Sequence, residues 1–238
     1  MKASRFVISA AMVLAVLATQ AAAMPSAWYS FNGNKKTIPQ NAWVHDQNGN
    51  WVVSFHDNNP GSYQISGNIQ ITADPQILYG ISTSNITSNT AMFAFGLTDT
   101  FAGPINRPNQ VYASMATAVT DGTGNGLKLL ATNGSKIQST LLDLTNASVD
   151  VGNSFSVAPG LPGETYSGGF DSKGPKAGPV GSWGGLTTNL SYSLTGKGDV
   201  ATLTGSSIVT VQPIPEPASA LLLLPGLIAV AASRRRRS

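Results

Sequence analysis

The sequence predicts an all-β fold: a single β-sandwich or jelly-roll-like domain, flanked by an N-terminal signal helix and a C-terminal transmembrane sorting helix. Three observations point to it. Short runs of β-branched and aromatic residues alternate with Ser, Thr, Asn and Gly through the middle of the chain. Asn-Gly, Asp-Pro and Pro-Gly turn signals separate these runs at short intervals. No amphipathic helical period appears between the two ends.

Taken in order, Trp28-Tyr29-Ser30-Phe31 reads as a short aromatic strand closed by Asn32-Gly33. Trp43-Val44-His45 and Trp51 to Phe55 flank Gln47-Asn48-Gly49-Asn50. Asn-Gly between apolar runs is a strong hairpin signal, and a primed turn with both residues at positive φ is expected here. Asn58-Asn59-Pro60-Gly61 makes the next turn. Tyr63, Ile65, Ile69 and Ile71 alternate with polar residues, and Asp74-Pro75 turns the chain into Ile77 to Ile81. Thr90 to Leu97 alternates again. Val111 to Thr120 is rich in Ala and is compatible with strand or short helix. Leu127 to Leu130, Ile137 to Leu144 and Ala147 to Val151 are further strands. From Ala158 to Leu186, Gly and Pro crowd the chain, and a long surface loop is expected. Leu186 to Leu194 and Val200 to Val211 close the domain as two long strands.

The ends carry a different message. Lys2 and Arg5 precede an apolar stretch from Phe6 to Ala18, and Ala21-Ala22-Ala23 supplies small residues before Met24. This is the physical pattern of a secretory signal over 1–23, cut after Ala23, with Ala21 and Ala23 flanking the small-residue site and export through the Sec machinery. At the other end, 213–238 runs from Pro215-Glu216-Pro217 through an uncharged apolar stretch, Ala218 to Ala232, to Arg234, Arg235, Arg236 and Arg237. The prolines hold the junction extended. The apolar stretch is about 22 Å long as a helix at about 1.5 Å per residue. The arginines mark their end as cytoplasmic.

This order of Pro-Glu-Pro, Ala218-Ser219, Leu/Ala/Gly-rich run and Arg cluster resembles the PEP-CTERM sorting signal of Gram-negative bacteria. Pro225 within the run and Ser238 after the arginines are mild departures. The resemblance implies processing near Pro-Glu-Pro by an exosortase, a membrane-embedded cysteine protease. It implies an inner-membrane intermediate followed by release or attachment at the cell surface, commonly where extracellular polysaccharide is made. Ile71 to Ser82 and Leu190 to Asp199 loosely resemble strands of other exported PEP-CTERM domains, with no activity attached.

The remaining region, 24–212, is expected to be one exported domain. The formal charge of +3 belongs to the ends: 24–212 holds eight basic and ten acidic residues. A basic footprint for nucleic acid is therefore missing. With no Cys, there is no disulfide framework, thiolate metal site or cysteine nucleophile.

Candidate chemistry is sparse. His45-Asp46 and His56-Asp57 are the two His-Asp pairs, and together they are weak metal or acid–base candidates; the simpler reading is Asp at strand ends. Asp46-x-Asn48-x-Asn50 resembles the start of a Ca²⁺ loop, but Trp51 and Asp57 stand where such a loop wants Gly and Glu. Asp143, Asp150 and Glu164 are the acids a glycosidase reading would draw on. No G-x-S-x-G elbow is present. Gly122 to Gly126 lacks the Lys of a phosphate loop and reads as a turn. Trp28, Trp43, Trp51, Trp183, Tyr63, Tyr79 and Tyr166 are aromatic; Trp183 and Tyr166, in the Gly-rich segment, are the ligand-binding candidates. The expectation is a non-catalytic, cofactor-free surface or extracellular-matrix protein, associated with polysaccharide or binding carbohydrate. The alternatives are a secreted glycosidase-like hydrolase using an unrecognised carboxylate pair, and an inert surface protein.

Overall fold

The computed structural model describes residues 24–72, 75–105, 109–143, 145–178 and 183–211. The signal segment with Ala21 and Ala23, and the tail with Pro215, Glu216, Pro217 and Arg234 to Arg237, lie outside the described residues. Among the described residues no helix is long and apolar enough to cross a membrane.

Among the described residues, fifteen strands form two antiparallel sheets. They are β1 (Ser26–Phe31), β2 (Asn34–Thr37), β3 (Val44–His45), β4 (Trp51–Asn59), β5 (Tyr63–Thr72), β6 (Gln76–Asn85), β7 (Ala91–Ile105) and β8 (Asn109–Asp121). β9 (Leu127–Ala131), β10 (Gln138–Leu142), β11 (Thr145–Val151), β12 (Phe155–Val157), β13 (Glu164–Ala177), β14 (Trp183–Leu194) and β15 (Asp199–Val211) follow. One 3-10 turn, Gln40–Ala42, precedes β3. Sheet one runs β11-β10-β14-β7-β1-β2, with β9 on β14 and β12 on β9. Sheet two runs β13-β8-β15-β6-β5-β4-β3. The sandwich expected from alternation is what forms.

Period-two alternation explains the packing. On β5 and β6 the residues facing inward are Ile65, Ile69, Ile71, Ile77, Tyr79 and Ile81, and all are buried. They meet Phe93, Phe95 and Leu97 of β7 and Leu190 and Tyr192 of β14. Each such side chain contributes about 1.5–3 kcal/mol by leaving water. Phe93 and Phe95 both stack on Tyr192, at 5.7 and 6.4 Å between centroids. Gly67 faces inward because Phe55 lies across it: a Cβ there would come within 2.7 Å of Phe55 Cζ.

Polar bridges fix one sheet over the other. The Tyr79 hydroxyl on β6 donates to Gln138 Oε1 on β10 at 2.6 Å. Gln138 Nε2 reaches Ser207 Oγ on β15 at 3.1 Å, and Thr188 Oγ1 on β14 donates to the same Ser207 Oγ at 2.6 Å. Thr83 and Tyr192 join hydroxyls at 2.8 Å. Buried polar groups tolerate only the arrangement that satisfies them, so this network selects the stacking of the sheets.

Two expectations change and one open reading is resolved. The Gly- and Pro-rich stretch from Ala158 to Leu186 is not one long loop; it holds β13, fourteen residues long, and the start of β14. β13 is an edge strand paired only with β8, and its register shifts at Ser167/Gly169 and Lys173/Lys176 absorb the Gly and Pro. Val111 to Thr120 is strand, within β8. The turn at Asn48-Gly49 is not primed: Gly49 alone has positive φ, 78°. The Gly49 N–H donates to the Asp46 carbonyl at 3.1 Å, giving a turn closed by a left-handed glycine. His45 accordingly faces Trp51, with Val44 facing Val52.

Candidate functional site: a trough on the outer face of sheet two

The outward residues of sheet two line up in rows across the strands. One row reads Ser54, Asn68, Gly80, Thr204, Ala116, Phe170. The rows on either side read Val52, Gln70, Leu78, Ser206, Ser114, Ser172 and His56, Ser66, Ser82, Thr202, Ala118, Ser167. Gly80 and Ala116 are the smallest residues of the middle row, so the face dips along it. Above Gly80, a Cβ would meet nothing within 4 Å. The middle row crosses six strands, about 24 Å at about 4.8 Å spacing.

Two adjoining hollows, about 490 and 480 Å³, occupy the trough over β4, β5, β6 and β15 and share Ser54, Asn68 and Gly80. No Asp, Glu, Lys or Arg lines either one. The exposed lining is more apolar than polar, with Val52 and Leu78 on one side, and it carries the amides of Asn68 and Gln70 and the hydroxyls of Ser54, Ser66, Ser82, Thr202 and Thr204. Ser54 Oγ donates to Asn68 Oδ1 at 2.5 Å, which orients the amide and leaves its Nδ2 without a partner among the described residues. Gln70 Nε2 donates to Asp46 Oδ2 at 3.2 Å, so its carbonyl oxygen is the end turned to other partners. At the far end of the row, on the edge strand, stands Phe170, 70% exposed.

The sequence candidates fall elsewhere. Asp46 is a turn residue: Oδ1 accepts the Asn48 and Asn50 N–H groups at 2.8 and 2.9 Å, and Oδ2 accepts the Asn50 amide. These bonds, the Asn50 side chain first, hold its carboxyl below the usual range. His45 stacks on Trp51 at 3.7 Å and bonds the Gly49 carbonyl through Nδ1 at 3.1 Å. His56 faces outward at the trough rim, while Asp57 faces inward. Asp57 Oδ2 takes Lys36 Nζ at 2.8 Å, the Tyr63 hydroxyl at 2.8 Å and the Tyr29 hydroxyl at 3.1 Å. Burial works to raise the Asp57 carboxyl, yet the three donors win and hold it low. Tyr29 is pushed up to about 12, by burial first and by its bond to Asp57 second. The two His-Asp pairs therefore do not converge. Among the described residues no three His, Asp or Glu side chains gather as metal ligands would.

Of the acids of the glycosidase alternative, Asp143 and Glu164 are engaged, while Asp150 Oδ1 is buried with no hydrogen-bond partner among the described residues. Asp143 accepts the Gly184 and Gly185 N–H groups at 2.9 and 2.8 Å. Glu164 accepts the Tyr166 hydroxyl at 2.6 Å. Asp150 sits on β11, opposite Ser139. Tyr166 pairs with Val119 on the inner side of β13 and packs against the core. Trp183 opens β14, and its side chain lies outside the described residues. Trp43 is buried in the core. Trp28 lies against Gly96 on the outer face of sheet one, with Lys35 Nζ 4.3 Å from its ring. Sequence reasoning missed Phe170 as a candidate. Its signal was present in the Gly-rich segment, but without the strand there was no face to put it on.

No family model matches the sequence, and no curated protein matches it. Several solved structures are similar in part, three of them as follows. TmCBM61 in complex with β-1,4-galactotriose has 11% identity and a TM-score of 0.32, covering 64% of this chain and 92% of that one. The enzymatically active domain of bacteriophage CBA120 tailspike protein 4 has 12% identity and a TM-score of 0.27, covering 72% of this chain and 20% of that one. The family 11 carbohydrate-binding module from Clostridium thermocellum, in complex with a β-1,3-1,4-mixed-linked tetrasaccharide, has 9% identity and a TM-score of 0.23, covering 79% of this chain and 98% of that one. At these TM-scores the likeness carries no argument about ligand or activity.

Proposed function

We propose that the chain is an exported, non-catalytic surface or matrix protein whose β-sandwich binds a neutral polysaccharide along the trough of sheet two. The trough itself carries this reading. It is open and free of Asp, Glu, Lys and Arg, floored by Gly80 and set with Ser, Thr, Asn and Gln among apolar surface, and the same outward row runs on to the exposed ring of Phe170. Sugar hydroxyls both donate and accept, and the amides of Asn68 and Gln70 with the hydroxyls of Ser82, Thr202 and Thr204 match them. The face of Phe170 suits the apolar face of a pyranose. The occupied carboxylates of Asp143 and Glu164 favour binding over hydrolysis.

Export by the Sec route and sorting by an exosortase-type protease belong to the same proposal, on the strength of 1–23 and 213–238. An extracellular polysaccharide would then be the partner at the site of release. A glycan array probed with residues 24–212 tests the reading. Binding to neutral glycans that weakens in Phe170→Ala is expected. Release of shortened glycan products by the same protein would instead establish the hydrolase.

A further inference from the structure

A second cavity, about 520 Å³, lies at one end of the sandwich and shares no lining residue with the trough. It opens between β9, β12, the turn after β6 and the turn after β14. Buried polar residues tie together the turns that border it. Asn85, fully buried, accepts from the Thr87 N–H and hydroxyl through Oδ1 and donates through Nδ2 to the Asn89 and Leu194 carbonyls. It therefore ties the β6–β7 turn to the end of β14. Asp121, also fully buried, accepts the Thr123 and Gly124 N–H groups on Oδ1 and the Gly126 N–H on Oδ2, at 2.7–3.1 Å. Asp199 accepts the Gly122 N–H at 3.0 Å and the Thr195 hydroxyl at 2.5 Å. Both carboxylates are thus occupied, Asp121 by backbone N–H groups and Asp199 by a backbone N–H and the Thr195 hydroxyl, and neither lines the cavity.

What does line it is two lysines, Lys128 and Lys197, with the hydroxyl residues Ser88, Thr90, Ser156 and Thr195. The lysine backbones are held in place. Lys128 exchanges bonds with Thr195, its N–H to Oγ1 at 2.9 Å and its carbonyl from the Thr195 N–H at 3.1 Å. Lys197 has φ of 67° and donates its N–H to the Thr87 carbonyl at 2.6 Å. Among the described residues neither ammonium meets a carboxylate; the lysines that do are Lys36 and Lys136. Two unpaired cations at the mouth of a rigid, hydroxyl-lined cavity form a complement to an anion that also carries hydroxyls.

We infer that this cavity is a second binding site, for a carboxylated sugar residue such as a uronic acid. The carboxylate sits between the Lys128 and Lys197 ammonium groups, and the sugar hydroxyls meet Ser88, Thr90 and Ser156. This inference stands apart from the trough, which is lined by no cation and would not select an acidic sugar.

Calorimetry on the full chain, held in detergent at low salt, tests it with trigalacturonate against galactotriose and against inorganic sulfate. The structure predicts that trigalacturonate binds about tenfold or more tightly than galactotriose, and that Lys128→Ala with Lys197→Ala together weaken it by about tenfold. Lys128→Arg with Lys197→Arg should retain binding, as should Lys173→Ala, a lysine outside the cavity. Added salt should weaken binding, because exposed charges are screened over about 8–10 Å. Should the double alanine variant fail to fold, Ser156→Trp on the exposed strand β12, the cross-strand neighbour of Lys128, fills the cavity while keeping both lysine charges, and the same loss is expected. Trigalacturonate binding that is undiminished in these variants overturns the inference, as does no binding of trigalacturonate at all. Displacement by sulfate at equal concentration also overturns it, in favour of a site for free anions.

Discussion

Asp99 offers the sharpest stability test. It lies on β7, opposite Leu186, on the face that turns into the core. The residue is 7% exposed, and no hydrogen-bond donor meets its carboxyl among the described residues. Burial alone pushes its pKa up to about 6, against about 3.9 for a carboxyl in an unfolded chain. The folded state therefore holds its proton more tightly than the unfolded state does. By linkage the stability it carries is fully present below about pH 3.9 and is lost as pH rises through about 6. Two pH units correspond to nearly 3 kcal/mol, and allowing for partial access by water leaves about 2 kcal/mol. Asp99→Asn removes the titration. Relative to the variant, the wild type should lose about 2 kcal/mol between pH 4.5 and pH 8, or about 4–8 °C in Tm for a domain of this size. Paired thermal melts by circular dichroism at half-unit pH steps measure it, and the difference between the two proteins cancels every other titrating group. Curves that run parallel from pH 4.5 to pH 8 would refute the reasoning and place a donor beside Asp99.

Gly49→Val should cost about 1 kcal/mol or more, because a β-branched side chain resists the φ of 78° there; urea melts check it, and an unchanged midpoint would mean the turn tolerates another backbone. Asp57→Ala removes the acceptor shared by Lys36, Tyr29 and Tyr63 and should destabilise by about 1–3 kcal/mol at pH 7. Since the Asp57 carboxyl is held low in the folded state, that stability is present above the unfolded carboxylate range and is lost as pH falls below it, so wild type and variant should converge in acid. Glu216→Ala should leave export intact and block processing, so that a full-length form still ending in Arg-Arg-Arg-Arg-Ser accumulates in the inner membrane; mass spectrometry of the surface fraction decides it. Active alkaline phosphatase fused at Gln212 would place the domain outside that membrane, and an inactive, stably expressed fusion would contradict the topology.

Much of the sandwich was legible because its strands have one dry face and one wet one. Ile65, Ile69 and Ile71 against Gln64, Asn68 and Gln70 is a pattern that period two alone explains. β13 was not legible for the converse reason. At the edge of sheet two most of its residues are exposed on both faces, so no alternation marks it, and its Gly and Pro imitate a loop. The turn type at Asn48-Gly49 was hidden by Asp46, whose side chain organises the loop in a way that the Asn-Gly pair does not announce. The trough was out of reach for a different reason. It is a property of register: Gly80 becomes a floor only because Asn68 and Thr204 stand on either side of it, on strands reached through separate connections. Asn85, Asp121 and Asp199 stand at strand ends, and their burial follows only from the meeting of turns distant in sequence.

The central claim is that the trough of sheet two holds a sugar chain, and Gly80 tests it most directly. Its outward position is open, with nothing within 4 Å of a Cβ, so Gly80→Phe fills the trough while leaving the core untouched. The measurement is the affinity of residues 24–212, wild type and Gly80→Phe, for the neutral oligosaccharide that binds best on the array, with Tm recorded for both. The account predicts an affinity loss of about tenfold or more, or about 1.4 kcal/mol, at an unchanged Tm. Equal affinity in a folded Gly80→Phe variant would contradict it and move the ligand to another surface.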